Sequence, residues 1–329
     1  MHERRATVVK AVELKLDTLG LRQEGRVLTV THSSPPVNLA TFRFMHDLER
    51  LTWAVDRDET VGAVVLTGVD GRFISHVDPS DVQGALQLPA PPVARQIIYP
   101  FWLLVRGLLR IPGARALTQR FGGAGGRTMV WGHQWRTTIV RMSRSSTVYL
   151  AAINGSATGG GFEVSLACDI RYVSDAPHIR LGQVEILLAA IPGGGGAQLL
   201  PAMIGTARAL EHMLDGTPVT ADQAVAWGMA TRVLPAADLL SLTQETAARL
   251  ASRSPQAIGA IKQLTHASSS RTFSRGLDEA IAAFTALGTK RPMKNSVGAL
   301  VDDIKNTGDT PLNTGAGPWI QGTRLNQIS

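Results

Sequence analysis

Apolar positions change their period several times along the chain, and each change predicts an element. Val27, Leu28 and Val30, with Thr29 and Thr31 between and after them, form a β-rich alternating run that reads as a strand, and the turn-prone residues 32–36 close it. Phe42, Met45, Leu48, Leu51 and Val55 then recur at helical spacing. Residues 62–67 are short and apolar, as a strand of the buried parallel type is. No close internal sequence repeat is visible, but further helices and strands are predicted downstream. Trp135, Ile139 and Met142 suggest a helix that leads into a second buried strand over 147–153; Asn154-Gly155 and Gly159-Gly160-Gly161 follow, and 162–168 read as a helix.

Residues 170–173 and 178–181 look like further short strands, and Ile191-Pro192 with four glycines opens a helix over 197–204. Thr220-Ala221-Asp222-Gln223 has the form of a capping box, starting a helix that Gly228 stops. Helices are expected over 239–253, 256–267, 273–287 and 297–305, and the Gly-, Thr- and Asn-rich residues 306–329 read as a surface tail. Residues 82–144 fit this rhythm least. They hold a proline-rich patch at 89–92, an apolar stretch at 97–109, a series of arginines and Gly122-Gly123-Ala124-Gly125-Gly126, and are read as an insertion.

Composition narrows the class. At 329 residues, 44% hydrophobic and 18% charged, the chain has the make-up of a soluble globular enzyme. Its one cysteine, Cys168, allows neither an intrachain disulfide nor a cysteine-based zinc site, which fits a cytoplasmic setting. The charged start Met1-His2-Glu3-Arg4-Arg5 is followed by no apolar leader, and the run from Ile97 is broken by Pro100 and closed by Arg106, short of the ~20 residues of a membrane span. A net charge of +7 suits nucleic acid, anionic lipid or a phosphorylated small molecule without choosing among them.

Candidate chemistry sits in the loops. Residues 73–78 lie just past the end of the strand at 62–67, where open α/β sheets bind ligands. Gly160, at the start of a helix, lets a ligand approach the backbone where the helix dipole favours negative charge. Glu163 falls in the first turn of that helix.

Four segments appear in an order that resembles the crotonase (enoyl-CoA hydratase/isomerase) superfamily, closest to the enoyl-CoA hydratases. They are Pro36-Val37-Asn38-Leu39, Gly71-Arg72-Phe73-Ile74-Ser75-His76-Val77-Asp78, the stretch 153–163 and the stretch 182–198. With 220–235 they span roughly residues 25 to 290. The resemblance implies an α/β spiral of strand-strand-helix turns over 1–235 carrying the insertion at about 82–144. A helical C-terminal region over 236–305 would promote a homotrimer or a dimer of trimers, and 306–329 would be a tail. It implies reversible hydration of a 2-enoyl-CoA to a 3-hydroxyacyl-CoA through a thioester enolate. The N–H groups of Val77 and Gly160 would form the oxyanion hole, and Glu163 and Glu185 would hold one water, Glu163 activating it and Glu185 delivering the proton. Ser75, His76, Asp78, Gly159, Gly161, Pro192 and Gly193 would contact the substrate. No metal and no cofactor beyond the substrate's own coenzyme A is implied.

Four departures from the family's pattern stand out. His76 occupies a position where glycine is common, Pro79 follows Asp78, 168–183 is slightly long, which could displace Glu185, and the acidic-glycine motif common late in the family is not evident. Asp78 reads as a cap or loop anchor more than as a catalyst. Isomerisation or thioester hydrolysis through the same enolate is the alternative reaction. A binding role on RNA or an anionic membrane is a further alternative; nucleic acid is disfavoured because aromatic residues are not interleaved with the arginines, while Tyr99, Phe101, Trp102, Leu103, Leu104, Leu108 and Leu109 read equally as buried core or as the lining of an enlarged acyl pocket, a subunit contact or a peripheral membrane contact.

Overall fold

The computed structural model describes residues 10–87, 93–325 and 328. The proline-rich patch at 89–92 and the charged start at 1–5 lie outside the described residues. A hairpin opens the fold: β1 (Leu19–Glu24) runs antiparallel to β2 (Val27–His32). Then come α1 (Phe42–Val55), β3 (Ala63–Gly68), α2 (Pro79–Leu86), α3 (Arg95–Leu108), α4 (Ala114–Phe121), α5 (Gly123–Met142) and β4 (Val148–Ile153). Next are β5 (Ala157–Thr158), α6 (Gly160–Ala167), β6 (Ile170–Ser174), β7 (Leu181–Gly182) and a 3-10 turn at Glu185–Leu188. After it lie α7 (Gly196–Ile204), α8 (Thr206–Asp215), α9 (Ala221–Trp227), β8 (Arg232–Leu234), α10 (Leu239–Ala251), α11 (Pro255–Ala267), α12 (Phe273–Gly288) and α13 (Arg291–Thr307). Two single-turn helices, Pro311–Thr314 and Gly317–Ile320, follow.

The main sheet has the order β1-β2-β3-β4-β6-β8, parallel from β2 onward, and β5 and β7 pair separately. Both faces of the central strands are covered. Val64 and Leu66 of β3 pack with Tyr149, Ala151 and the α1 stripe of Phe44, Met45, Leu48 and Leu51. Ala63 and Val65 pack with Val148, Leu150 and Ala152 against Leu239, Ala247 and Ala251 of α10. This two-sided burial is why β3 and β4 read as unbroken apolar runs. Thr41 caps α1 by accepting from the Phe44 amide at 3.1 Å, and the capping box at Thr220 and Gln223 forms as its residue types require.

Where sequence and structure differ, packing explains it. The strand expected over 178–181 is present only at Leu181–Gly182, because Leu181 is the residue that bridges both β5 and Val219. The insertion contains α2 to α5 among its described residues, and the glycine run 122–126 lies where α4 ends and α5 begins. A Cβ on Gly122 or Gly126 would lie 2.5 or 2.7 Å from the Thr118 carbonyl oxygen, so these glycines let α4 and α5 approach closely. Residues after 306 fold back: Trp319 Nε1 donates to Asp303 at 3.1 Å, Arg324 pairs with Asp303 at 2.7 Å, and Arg253 donates to the Trp319 carbonyl at 2.9 Å. Among the described residues no helix is long and apolar enough to cross a membrane.

Candidate active site

β3 and β4 are parallel neighbours, so the loops after Gly68 and Ile153 leave the sheet at the same end. Asn154 clamps them, its side chain donating to the Gly68 carbonyl at 2.7 Å and accepting from the Gly68 amide at 3.2 Å. Asn38, in the left-handed region at φ 59°, donates its amide to the Arg72 carbonyl at 2.8 Å and also bonds the Phe73 carbonyl. On the far side of the 73–78 loop, Thr158 donates both its amide and its hydroxyl to the Ser75 carbonyl, at 3.0 and 2.9 Å. The loop is thus fixed from two directions.

That fixing orients two amides. Ala40 donates to the His76 carbonyl at 2.7 Å and accepts from the Asp78 amide at 3.1 Å. Residues 76 and 78 therefore direct these groups toward Ala40, and the Val77 N–H points the other way; it has no acceptor among the described residues. Gly160 begins α6, so its amide has no intrahelical acceptor, and none is found elsewhere among the described residues. The two residues touch. A Cβ on Gly160 would lie 2.2 Å from Val77 Cγ2 and 2.9 Å from Trp135 Cη2, and one on Gly161 would lie 1.9 Å from the Ile74 carbonyl oxygen. Close approach, more than turn geometry, demands glycine at both positions.

Glu163 is 3% exposed, and its Oε1 accepts from the amides of Gly194 and Gly196 at 2.7 and 2.8 Å. Burial pushes its carboxyl up to about 7; the Gly196 amide opposes the rise, and the charge of Glu185 adds to it. Trp135 of α5 holds the cradle, its Nε1 donating to the Gly194 carbonyl at 2.8 Å. Glu185 opens the 3-10 turn and is also buried. Burial raises its carboxyl, while its own backbone amide and the nearby His76 pull the other way. With the Gln183 amide turned so that its nitrogen faces the carboxylate, it donates to both Glu185 oxygens at 2.8 and 2.9 Å. The negative charge of Glu185 thus works against ionisation of Glu163.

The long 168–183 stretch therefore does not carry Glu185 away from the pair. His76 also belongs here: its Nδ1 is 2.9 Å from the Val77 carbonyl, and its Nε2 lies 2.5 Å from where a Gly159 Cβ would be. Gly159, at φ 52° and ψ −130°, needs to be glycine on both counts. Ser75 and Asp78 turn their side chains into the loop. The Ser75 hydroxyl donates to the Val37 carbonyl at 2.6 Å, and Asp78 caps α2 by accepting from the Ser80 amide at 2.9 Å. Pro192 and Gly193 lie on the segment before α7, but the amides that reach Glu163 are those of Gly194 and Gly196. Sequence reasoning missed these two glycines, Trp135 as their anchor and Gln183; the four-glycine run before a helix was the available signal.

Residues 125–307, more than half of the chain, match the family model for enoyl-CoA hydratase/isomerase. The chain belongs to the enoyl-CoA hydratase/isomerase family. It is 28% identical over 289 residues to a probable enoyl-CoA hydratase of Rhizobium meliloti (strain 1021), covering 88% of this chain and 96% of that protein. It is 30% identical over 228 residues to the glyoxysomal fatty acid beta-oxidation multifunctional protein MFP-a of Brassica napus, covering 69% of this chain but only 26% of that longer protein. A crystal structure from Geobacillus kaustophilus HTA426, described as "Enoyl-CoA Hydrates Subunit I", superposes with a TM-score of 0.70 at 26% identity, covering 88% of this chain and 97% of that one. The fold is that of the crotonase superfamily, and membership in the hydratase/isomerase family supports an enzyme of crotonase type.

Proposed function

We propose that the protein adds water reversibly across the double bond of a 2-enoyl-CoA. The observation that carries this reading is the meeting of two buried carboxyls, Glu163 and Glu185, both resisting ionisation, beside the unpartnered amides of Val77 and Gly160. In this reading the thioester carbonyl lies between the two amides, which stabilise the enolate oxygen as charge develops; one such donor is worth ~10² to 10³ in rate. Water held by the carboxyls gives its hydroxyl to the β-carbon and a proton to the pair, and the pair returns a proton to the α-carbon. The reaction needs one base and one acid at once, and in this reading the two carboxyls, with Glu163 raised to about 7, share a proton and serve as both. Family resemblance gives water activation to Glu163 and proton delivery to Glu185. The charge of Glu185 raises the Glu163 carboxyl, so the two act as a coupled unit. The chemistry itself calls for neither a metal nor a redox cofactor.

Loss of enoyl-thioester absorbance with short, medium and long 2-enoyl-CoAs tests the proposal. Glu163→Gln and Glu185→Gln are each expected to slow hydration by ~10² to 10⁴. Activity that depends on only one of the two would instead favour isomerisation or thioester hydrolysis through the same enolate.

A further inference from the structure

Glu163 and its partners lie beyond the carboxyl ends of β3 and β4. At the opposite end of the sheet, Arg26, Val61 and Thr147 precede β2, β3 and β4, and there the surface opens into a cavity of about 1040 Å³. Strands of six residues, at about 3.3 Å each, put roughly 20 Å between the two places. The cavity is a site of its own, at the upper end of the roughly 300–1,000 Å³ usual for small-molecule pockets.

Six arginines line it against three carboxylates: Arg26, Arg110, Arg115, Arg136, Arg141 and Arg144 against Asp56, Asp58 and Glu59. Three of the six are spoken for. Arg115 pairs with Glu49 and Arg141 with Asp56, each at 2.8 Å, and Arg26 donates to the Ala251 and Glu59 carbonyls. Arg110, Arg136 and Arg144 have no ion pair or side-chain hydrogen bond among the described residues. They are close enough to disturb one another: burial, then the charges of Arg106, Arg110 and Arg144, holds the Arg136 guanidinium below its ordinary value. His133, 3% exposed on the cavity wall, is pushed down to about 4, first by burial and then by Arg115, Arg110, Arg136 and Arg106. Its Nε2 lies 2.9 Å from Arg115 Nη2 and must accept, so the imidazole proton is on Nδ1; that atom and Arg106 Nε are both buried without a hydrogen-bond partner among the described residues. Three guanidiniums without an ion pair among the described residues, beside orphaned donors, leave one role unfilled: an anion.

We propose that this cavity binds a phosphate-bearing anion of at least two negative charges, held by Arg110, Arg136 and Arg144. Planar guanidinium forks bond phosphate oxygens in pairs, which suits an all-arginine set better than a carboxylate monoanion would. Such a phosphate could belong to a soluble metabolite or to a lipid headgroup, since α3 exposes Ile97, Phe101, Leu104 and Leu108 next to Arg110.

Calorimetric titration of the intact chain with sodium pyrophosphate, and flotation with phosphatidylcholine vesicles with or without phosphatidylglycerol, separate the two sources. Saturable pyrophosphate binding that raises Tm and weakens about tenfold or more in Arg136→Gln and in Arg144→Gln supports a soluble ligand. Vesicle binding that requires phosphatidylglycerol and is lost in the same variants assigns the phosphate to a lipid. Each variant removes a cation from a mutually repelling set, so folding is expected to be intact, with Tm unchanged or raised. Arg22→Gln, from an exposed pair with Glu24, is the charge-matched control. Failure of both probes to bind, or equal weakening by Arg22→Gln, overturns the proposal.

Discussion

Glu163 shows how one environment sets both reactivity and stability. Its carboxyl is raised to about 7, first by burial and further by the charge of Glu185, so in the free enzyme it changes protonation state near neutral pH. The expected kcat/KM profile is a bell. Its alkaline limb falls about tenfold per pH unit above roughly 7, as Glu163 loses the proton, and its acid limb follows protonation of Glu185. A rate that instead climbs through the alkaline range would defeat the shared-proton reading. The same shift has a stability cost with a definite sign. Because the folded state binds this proton more tightly than the unfolded chain does, the contribution is fully present below about 4.5 and is lost as pH rises through about 7. The loss is on the order of 3 kcal/mol. Glu163→Gln keeps an acceptor for Gly194 and Gly196 but removes the charge. Its Tm should exceed the parent's at alkaline pH, with the difference vanishing in acid, even as activity is lost. At this scale Glu163, Glu185 and Gly160 were legible, because their neighbours in sequence form a motif. Gly194, Trp135 and Gln183 were not, because their roles exist only where α5, α6 and the segment before α7 meet.

At the scale of elements, legibility followed burial. β3 and β4 are covered on both faces, so their sequences carry an unmistakable apolar run. β1 lies at the sheet edge, where Arg22, Gln23 and Glu24 interrupt its pattern, and β5 and β7 are too short to leave a period. The glycines that open α5 serve helix-to-helix contact with α4, a role that their sequence alone did not assign. α6 meets the 73–78 loop in the same manner. Gly161→Ala would drive a Cβ to 1.9 Å from the Ile74 carbonyl oxygen, between the Phe73 and Ser75 carbonyls that Asn38 and Thr158 hold in place. The expected result is a loss of roughly 1–3 kcal/mol in denaturant melts. A fall in kcat should accompany it, since the collision separates Gly160 from Val77. Wild-type activity and stability in this variant would mean that the two loops are not held as closely as this contact requires.

Across the whole molecule, the C-terminal helices are tied to the sheet by a buried charge. Lys262 of α11 donates to the Thr147 carbonyl and to Asp169, both at 2.8 Å, while Asp169 also accepts from the Tyr149 amide at 2.8 Å. Removing one member of a buried pair costs roughly 3–5 kcal/mol, because the other charge is left unanswered. Lys262→Met should therefore lower the urea midpoint at an unchanged slope, leaving Glu163 and Glu185 in place at the far end of β4. A changed slope would show that the helical segment detaches before the core unfolds.

α5 is 20 residues long, about 30 Å, and two consecutive residues on it face different neighbours: Trp135 anchors the glycines around Glu163, and Arg136 lines the arginine cavity. Successive side chains on a helix are turned by about 100°, so both assignments depend on a single phase. One residue inserted inside the helix after Arg136 would leave Trp135 where it is while rotating Arg141 out of line with Arg136. Changes in chain length among descendants of this sequence should consequently collect in the connections flanking α5 and spare its interior.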